Sequence, residues 1–322
     1  MYKQFYGFER NPFDISPDPY FLFQTPQHNE ALASIYHGVT QHKGFVVVTG
    51  EVGTGKTLLL RCLLESLRKS EIAFANIFNP GLTPLEFLEY LVSDLGLKAV
   101  NQNKSSLLLQ LNGYLIGRYR AGLTTVLVVD EAQHLAPEVL EEIRLLTNLE
   151  TTHQKLLQIV LAGQPELEQK LDSANLRQLK QRIAFRCRLE PLEEEQTKGY
   201  ILQRLERAGA SSQKADIFPD ATVQAVHRFA KGTPRLINTI CENSLIAAYS
   251  QRLQSVTPKI VEEIATDFHL DDLHLNDLQN EAKSAPSREV EASSVARSLL
   301  QLMETLDQIA RTRQCSLRRV PE

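Results

Sequence analysis

The sequence predicts an α/β protein: a parallel sheet covered by helices on both faces, then a small all-helical domain and a polar, partly disordered C-terminal tail. Three observations carry this. Short apolar runs rich in β-branched residues alternate with helical patterns up to about residue 162. After "AFRCRLEPL" (184–192) only helical patterns follow. From Leu270 onward the composition turns polar.

Residues 1–43 form an aromatic, proline-rich lead-in, "FYGFERNPFDISPDPYFLF" and its continuation. It closes on a helix from about Gln27 to Gln41, with Ala31, Ile35 and Val39 on one face. The strand-like runs are "FVVVT" (45–49), "IAFANIF" (72–78), "TTVLVVD" (124–130) and "LLQIVLA" (156–162). Runs so uniformly apolar suit strands buried on both faces. Helical patterns at about 56–69, 83–95, 105–121 and 137–149 supply the crossovers of a parallel sheet. Four more follow, near 193–208, 219–230, 233–250 and 257–268. The expected domains are therefore 1–43, a core over 44–192, a helical domain over 193–269, and a tail over 270–322. In that tail a polar linker precedes a seam of Val295, Leu299, Leu302, Leu306 and Ile309. The seam spans only about two heptads, so it reads as a short docking helix rather than a coiled coil. No internal repeat is visible.

With 322 residues, 43% hydrophobic and 23% charged, the chain can bury two or three small cores. A formal net charge of -4 argues against a dedicated nucleic-acid binder, while leaving room for a local basic loop. Cys62, Cys187, Cys241 and Cys315 form no CxxC pair, which favours free thiols in a reducing compartment over a disulfide or a zinc site. The N-terminus has no apolar leader core, and no run approaches the roughly 18 apolar residues of a membrane span. A cytoplasmic protein is expected.

The chemistry sits at strand ends. Gly50-Glu51-Val52-Gly53-Thr54-Gly55-Lys56-Thr57 fits GxxxxGK[ST], and Leu58 continues into an apolar helix. Glycines let backbone N–H groups turn in around phosphates, and the helix N-terminus adds a positive dipole. Lys56 supplies a point charge to the β- and γ-phosphates, and the Thr57 hydroxyl can ligate Mg²⁺. A Gly-rich surface turn is the bland alternative, but a buried strand precedes this one and an apolar helix follows. "VLVVDE" ends in Asp130 and Glu131, and paired acids after a buried strand need a cation or water to face. Asp130 is assigned to the Mg²⁺ shell and Glu131 to the base that activates a water. The competing reading is an acidic cap for the helix starting near Pro137. Gln164 follows the fourth run. In an open α/β sheet ligands bind at the carboxyl ends of strands, so Gly50, Asp130 and Gln164 should meet at one edge.

Two arginine sites complete the pattern. "KGTPRLINTICENSLIAAY" gives Gly232 as a stop, Thr233 as N-cap, Pro234 at the first helical position and Arg235 in the first turn. A cation there opposes the helix dipole, which a γ-phosphate would offset; a plain surface arginine is the other reading. "LRQLKQRIAFRCRLEPL" carries Arg177, Arg182, Arg186 and Arg188, and most such clusters are solvated faces.

In this order the motifs resemble the AAA+ ATPases, a P-loop core with a helical lid. More narrowly they resemble the general secretion pathway protein A group, with the related pilus-biogenesis ATPases of the mannose-sensitive haemagglutinin type. The resemblance covers about residues 2–268 and rests on "FYGFERNPFDISPDPYFLF", "DEAQHLAPEVLEEIRLLTNLET", "LAGQPELEQKL", "LRQLKQRIAFRCRLEPL" and "GTPRLINTICENSLIAAY". It implies Lys56 and Thr57 as Walker A, Asp130 and Glu131 as Walker B, Gln164 as sensor 1 and Arg235 as sensor 2. It makes Arg182 an arginine finger reaching a neighbour's nucleotide, with Arg186 in reserve. It implies ATP and Mg²⁺ as cofactors, a hexameric or similar ring, and an inner-membrane component of a secretion or pilus system as partner. Full-length secretion members continue into a membrane helix and a peptidoglycan-binding domain; the sequence given does not, so pilus-type or polysaccharide-export relatives are the nearer expectation.

The leading expectation is an ATP-driven assembly factor, cytoplasmic or peripheral at the inner membrane. The alternative is a DNA-associated ATPase of the transposition or replication type, and a barely hydrolysing scaffold is a third class that the presence of Glu131 disfavours. A small-molecule kinase is disfavoured because no acceptor site is evident.

Overall fold

The computed structural model of the chain describes residues 2–68, 71–78, 81–98, 103–152, 154–210 and 217–270. The linker after Leu270, the seam from Val295 to Ile309 and Cys315 lie outside them. Two compact units result, one of Pro26–Glu51 and Lys56–Leu189, the other of residues up to Thr25, Val52–Gly55 and the described residues from Glu190 onward.

The first unit is built on five strands: β1 Phe45–Gly50, β2 Ala73–Ile77, β3 Thr125–Val129, β4 Leu157–Gly163 and β5 Ile183–Leu189. Their order is β2-β3-β4-β1-β5 and every pairing is parallel. Its longer helices are α1 Pro26–Thr40, α2 Lys56–Arg68, α3 Pro84–Asp94, α4 Lys104–Arg120, α5 Pro137–Leu146 and α6 Pro165–Leu171. Because β1, β3 and β4 are buried along their whole length, their uninterrupted apolar sequence is what the fold requires. Val47, Leu127, Ile159 and Leu161 share one core with Leu88, Leu91, Leu111 and Ile143 from the helices. Each such side chain contributes roughly 1.5–3 kcal/mol on burial. Local chemistry sets two of the helix starts. Thr83 and Glu86 form a reciprocal capping box at α3, and Asn103 accepts the Ser106 N–H at α4.

The fifth strand is not among the four runs expected as strands; it lies almost wholly within "AFRCRLEPL", the stretch after which strands were expected to stop. It lies at the sheet's edge beside β1, with Phe45 opposite Ile183 and Gly50 opposite Leu189. Ala184, Arg186 and Arg188 are exposed, alternating with half-buried Phe185 and Cys187. An edge strand buries less of itself, so its pattern has period two and carries charge. The expected helix over 137–149 ends at Leu146. Among the described residues Cys62, Cys187 and Cys241 form no disulfide, and burial pushes the Cys187 thiol up to about 11.

The second unit contains α7 Glu194–Arg207, α8 Asp220–Ala230, α9 Pro234–Ser250 and α10 Pro258–Asp267, close to the expected spans. The aromatic lead-in divides. Its residues up to Thr25 group with these helices, while α1 belongs to the sheet unit. Phe13 meets Phe218 edge-on with centroids 5.7 Å apart. The Tyr2 hydroxyl donates to Glu242 at 2.8 Å, and Arg204 donates to the Pro12 carbonyl at 2.5 Å with its guanidinium over the Phe21 ring. Burial pushes the Tyr6 phenol up to about 12. Among the described residues no helix is long and apolar enough to cross a membrane.

Gly232 locks this unit. It has φ +70°, and a Cβ there would stand 1.9 Å from the Leu192 carbonyl oxygen. Leu192 N–H in turn donates to the Gly232 carbonyl at 2.8 Å. Gly232→Ala should lower unfolding free energy by at least about 2 kcal/mol, combining left-handed strain with a backbone collision. Urea denaturation followed by circular dichroism measures it; an unmoved midpoint would mean that the contact yields freely.

Candidate functional site

After β1 the chain turns through Glu51–Gly55 and enters α2 at Lys56. Gly53 and Gly55 take φ of 82° and 102°, the left-handed region glycine occupies without a Cβ penalty. Val52 is exposed and Thr54 buried. Lys56 is buried, and its Nζ donates to the carbonyls of Gly50 at 2.7 Å and Glu51 at 2.9 Å. Burial pushes its ammonium below the ordinary value, against the pull of Glu131, Asp130 and Glu51. Thr57, one residue on, donates its hydroxyl to Asp130 Oδ2 at 2.7 Å. Leu58 follows on α2, half-buried.

Asp130 lies just past β3, tied to the neighbouring strand by its N–H on the Ile77 carbonyl at 3.1 Å. Its second oxygen accepts the Glu131 N–H at 2.9 Å. Burial holds the carboxyl above its usual range even though both hydrogen bonds favour the ionised form. Glu131 sits in the left-handed region, φ 52° and ψ 37°, and opens a 3₁₀ turn over Ala132–His134. Its Oε2 accepts from Gln133 Nε2 at 2.6 Å and Gln164 Nε2 at 3.3 Å. Burial alone would raise this carboxyl; the two amides together with Lys56 and His134 bring it below the ordinary value.

The structure therefore brings Lys56, Thr57, Asp130, Glu131 and Gln164 to the carboxyl edge of β1, β3 and β4. Gln133 is the member that sequence reasoning missed. It is buried in a three-residue turn too short for any periodicity to mark. The available signal was a polar residue closely following the acidic pair and followed by apolar Leu135.

Arg182 is not brought there. It precedes β5 at the opposite end of the sheet, where Ile183 pairs with Phe45, and its Nη1 donates to Thr147 Oγ1 at 2.8 Å. Phe45 and Gly50 are separated by about 16 Å of strand. Arg186, opposite Val47, is exposed mid-strand. Arg235 belongs to the second unit with Val52–Gly55; its N–H donates to the Gly53 carbonyl at 3.3 Å. A Cβ on Gly53 would stand 2.7 Å from Arg235 Cβ and 3.0 Å from Thr233 Cγ2. Thr233 precedes α9 and Pro234 opens it, as expected, but the Thr233 side chain makes no capping bond.

Chemically, the edge offers a buried amine at a helix start, a hydroxyl paired with a carboxylate, and a second carboxylate oriented by amides. That donor set fits a polyphosphate with a hard divalent cation. Among the described residues no group of three or more His, Cys, Asp or Glu could hold a metal alone.

A family profile described as "AAA domain" matches residues 39–171. Over 252 residues, 78% of this chain, the sequence is 46% identical to general secretion pathway protein A of Aeromonas hydrophila. The chain spans less than half of that relative, 45% of its length. Among solved structures it is similar to Cdc6p from Pyrobaculum aerophilum, with a TM-score of 0.61, 21% identity, and coverage of 79% of this chain and 70% of that one. It is likewise similar to the Aeropyrum pernix ORC2 protein in its ADPNP-ADP complexes (0.60, 17%, 80% and 72%). The Thermotoga maritima RuvB Holliday junction branch migration motor is also similar (0.52, 15%, 79% and 72%). At these identities the structural likeness is one of fold.

Because burial raises the Asp130 pKa, the ionised carboxylate is unfavourable to the fold at neutral pH. Asp130→Asn should therefore unfold at a higher temperature than wild type without ligand, the Thr57 hydroxyl turning to suit the amide. The advantage should shrink as pH falls through the folded-state pKa of Asp130, where wild type takes up its proton. Calorimetry across pH measures both; a variant less stable at every pH would overturn this account of the site.

Proposed function

The chain belongs to the AAA+ group of general secretion pathway protein A, and on that premise we propose that it is an ATP-hydrolysing assembly factor. It works as a ring of like subunits, cytoplasmic or peripheral at the inner membrane. It serves an envelope apparatus of the secretion, pilus or polysaccharide-export kind through an inner-membrane component. The observation that carries the reading is the convergence of Lys56, Thr57, Asp130, Glu131 and Gln164 at one sheet edge.

In this reading Gly50–Leu58 wraps the phosphates of ATP, and the loop's N–H groups and Lys56 neutralise them. Thr57 and Asp130 would hold Mg²⁺, which would screen the phosphate charge. Glu131 takes a proton from the water that attacks the terminal phosphorus, giving ADP and phosphate. Gln164 holds the carboxylate and meets the terminal phosphate as sensor 1. Arg235, adjacent to Gly53, acts as sensor 2. Arg182 lies a sheet-length from its own Lys56, so any contact it makes with nucleotide is on a neighbouring subunit.

Glu131→Gln should bind ATP and lose at least about 100-fold in turnover, while Lys56→Ala should lose binding; fluorescent-nucleotide titration and phosphate release measure the two. Wild-type turnover in Glu131→Gln would remove it from this role. Stimulation of hydrolysis by duplex DNA would favour the DNA-associated alternative.

The ring has its own test. Arg182→Ala protein should bind ATP and fail to hydrolyse it. Mixed with inactive Lys56→Ala protein, it should recover activity at interfaces that pair an intact loop with an intact arginine. No recovery in mixed rings verified by mass would leave Arg182 a structural role through Thr147.

A further inference from the structure

Gln133 is buried at the centre of the site with both ends of its amide engaged. Its Oε1 accepts the main-chain N–H of Gln164 at 3.0 Å, and its Nε2 donates to Glu131 Oε2 at 2.6 Å. The backbone beneath is pinned too: Lys170 Nζ donates to the Gln133 carbonyl and, at 3.1 Å, to that of Leu135. Space is fixed on the other side, since a Cβ on Gly163 would stand 2.9 Å from Gln133 Oε1.

These contacts determine which way the amide faces. The Gln164 N–H is a fixed donor at the junction of β4 and α6, so it holds the carbonyl end. A flipped amide would set two donors against that N–H and its oxygen against a carboxylate, and lose both bonds. The NH₂ end is left aimed at Glu131. Gln164 Nε2 reaches the same oxygen from 3.3 Å, the longer of the two bonds. Both amides take Oε2, and among the described residues no hydrogen bond reaches Oε1. One carboxylate oxygen is thus anchored, and the other keeps its lone pairs for a proton. Glu131 has left-handed backbone at φ 52°, so its own main chain does not favour this placement, and a fixed partner compensates.

We propose that Gln133 is the positioning residue of the hydrolytic site, orienting the Glu131 carboxylate so that Oε1 faces the attacking water. This rests on the reading of Glu131 as the base. Gln133 touches no nucleotide in this scheme, so it acts on the chemical step and not on binding.

The test uses the full chain with Gln133→Met, which removes both bonds at similar size. A second variant, Gln133→Glu, keeps an acceptor for the Gln164 N–H and replaces only the donor. Expected for each is a kcat at least about tenfold below wild type with a KM for ATP within about twofold. Thermal unfolding identifies a variant that fails to fold, in which case the other decides. Wild-type kcat, or a loss confined to KM, would overturn the proposal. Glu131→Gln runs alongside. If it hydrolyses ATP normally the base assignment itself falls, whereas an inactive Glu131→Gln with unaffected Gln133 variants removes only the positioning role.

Discussion

The arrangement at the sheet edge depends on one buried carboxylate. Asp130 uses one oxygen to take the Thr57 hydroxyl and the other to take the Glu131 N–H. The first bond ties α2 to β3 and so fixes where the glycine loop ends. The second holds the chain as it enters the left-handed conformation at Glu131, from which the 3₁₀ turn starts. Hydrogen bonds to a charged group contribute about 1.5–3 kcal/mol each, which offsets only part of the burial that disfavours the charge. Remove the carboxylate's geometry and neither Lys56 nor Gln133 keeps its relation to Glu131.

How legible this was in the sequence depended on the range of the forces involved. β1, β3 and β4 announce themselves because strands buried on both faces must be apolar throughout. The glycine loop, Asp130 and Gln164 follow from them, since topology puts all carboxyl ends of a parallel sheet on one side. β5 was hidden because Arg186 and Arg188 alternate with Phe185 and Cys187, a pattern dictated by its edge position. Gln133 was hidden because its role comes from Gln164, thirty-one positions away. The lead-in was read as one segment because its partners are distant. Tyr2 finds Glu242, and Phe13 finds Phe218, by packing that no local pattern encodes.

The likenesses to other proteins separate the general from the particular. The similar solved structures share 15–21% of their sequence with this chain yet keep its architecture, so what they hold in common with it is the fold. The identity with the secretion protein runs over 252 residues, far more than the AAA stretch at 39–171. Much of the aligned length therefore lies outside the AAA stretch. In the helical unit Arg204 is buried with no carboxylate partner among the described residues, satisfied by the Pro12 and Asp14 carbonyls, the Tyr200 hydroxyl and two aromatic rings. A buried cation held by backbone carbonyls specifies one path for the lead-in, because any other leaves it unsatisfied.

Lys56 and Asp130 make the physical case for what belongs at the edge. Burial drives the amine's pKa down and the carboxyl's up, so both ions are pressed toward neutrality. Beyond the pull of nearby opposite charges, the hydrogen-bond partners of each are neutral: two carbonyls for Lys56, a hydroxyl and an N–H for Asp130. A surface evolved only to be stable would replace both with apolar residues of similar size. Keeping them costs stability that a polyanion accompanied by a dication can return, since the anion gives Lys56 its counter-charge and the cation gives Asp130 its own. Binding and folding are then linked, and on the proposed reading the site reaches its most favourable electrostatics only with ATP and Mg²⁺ present.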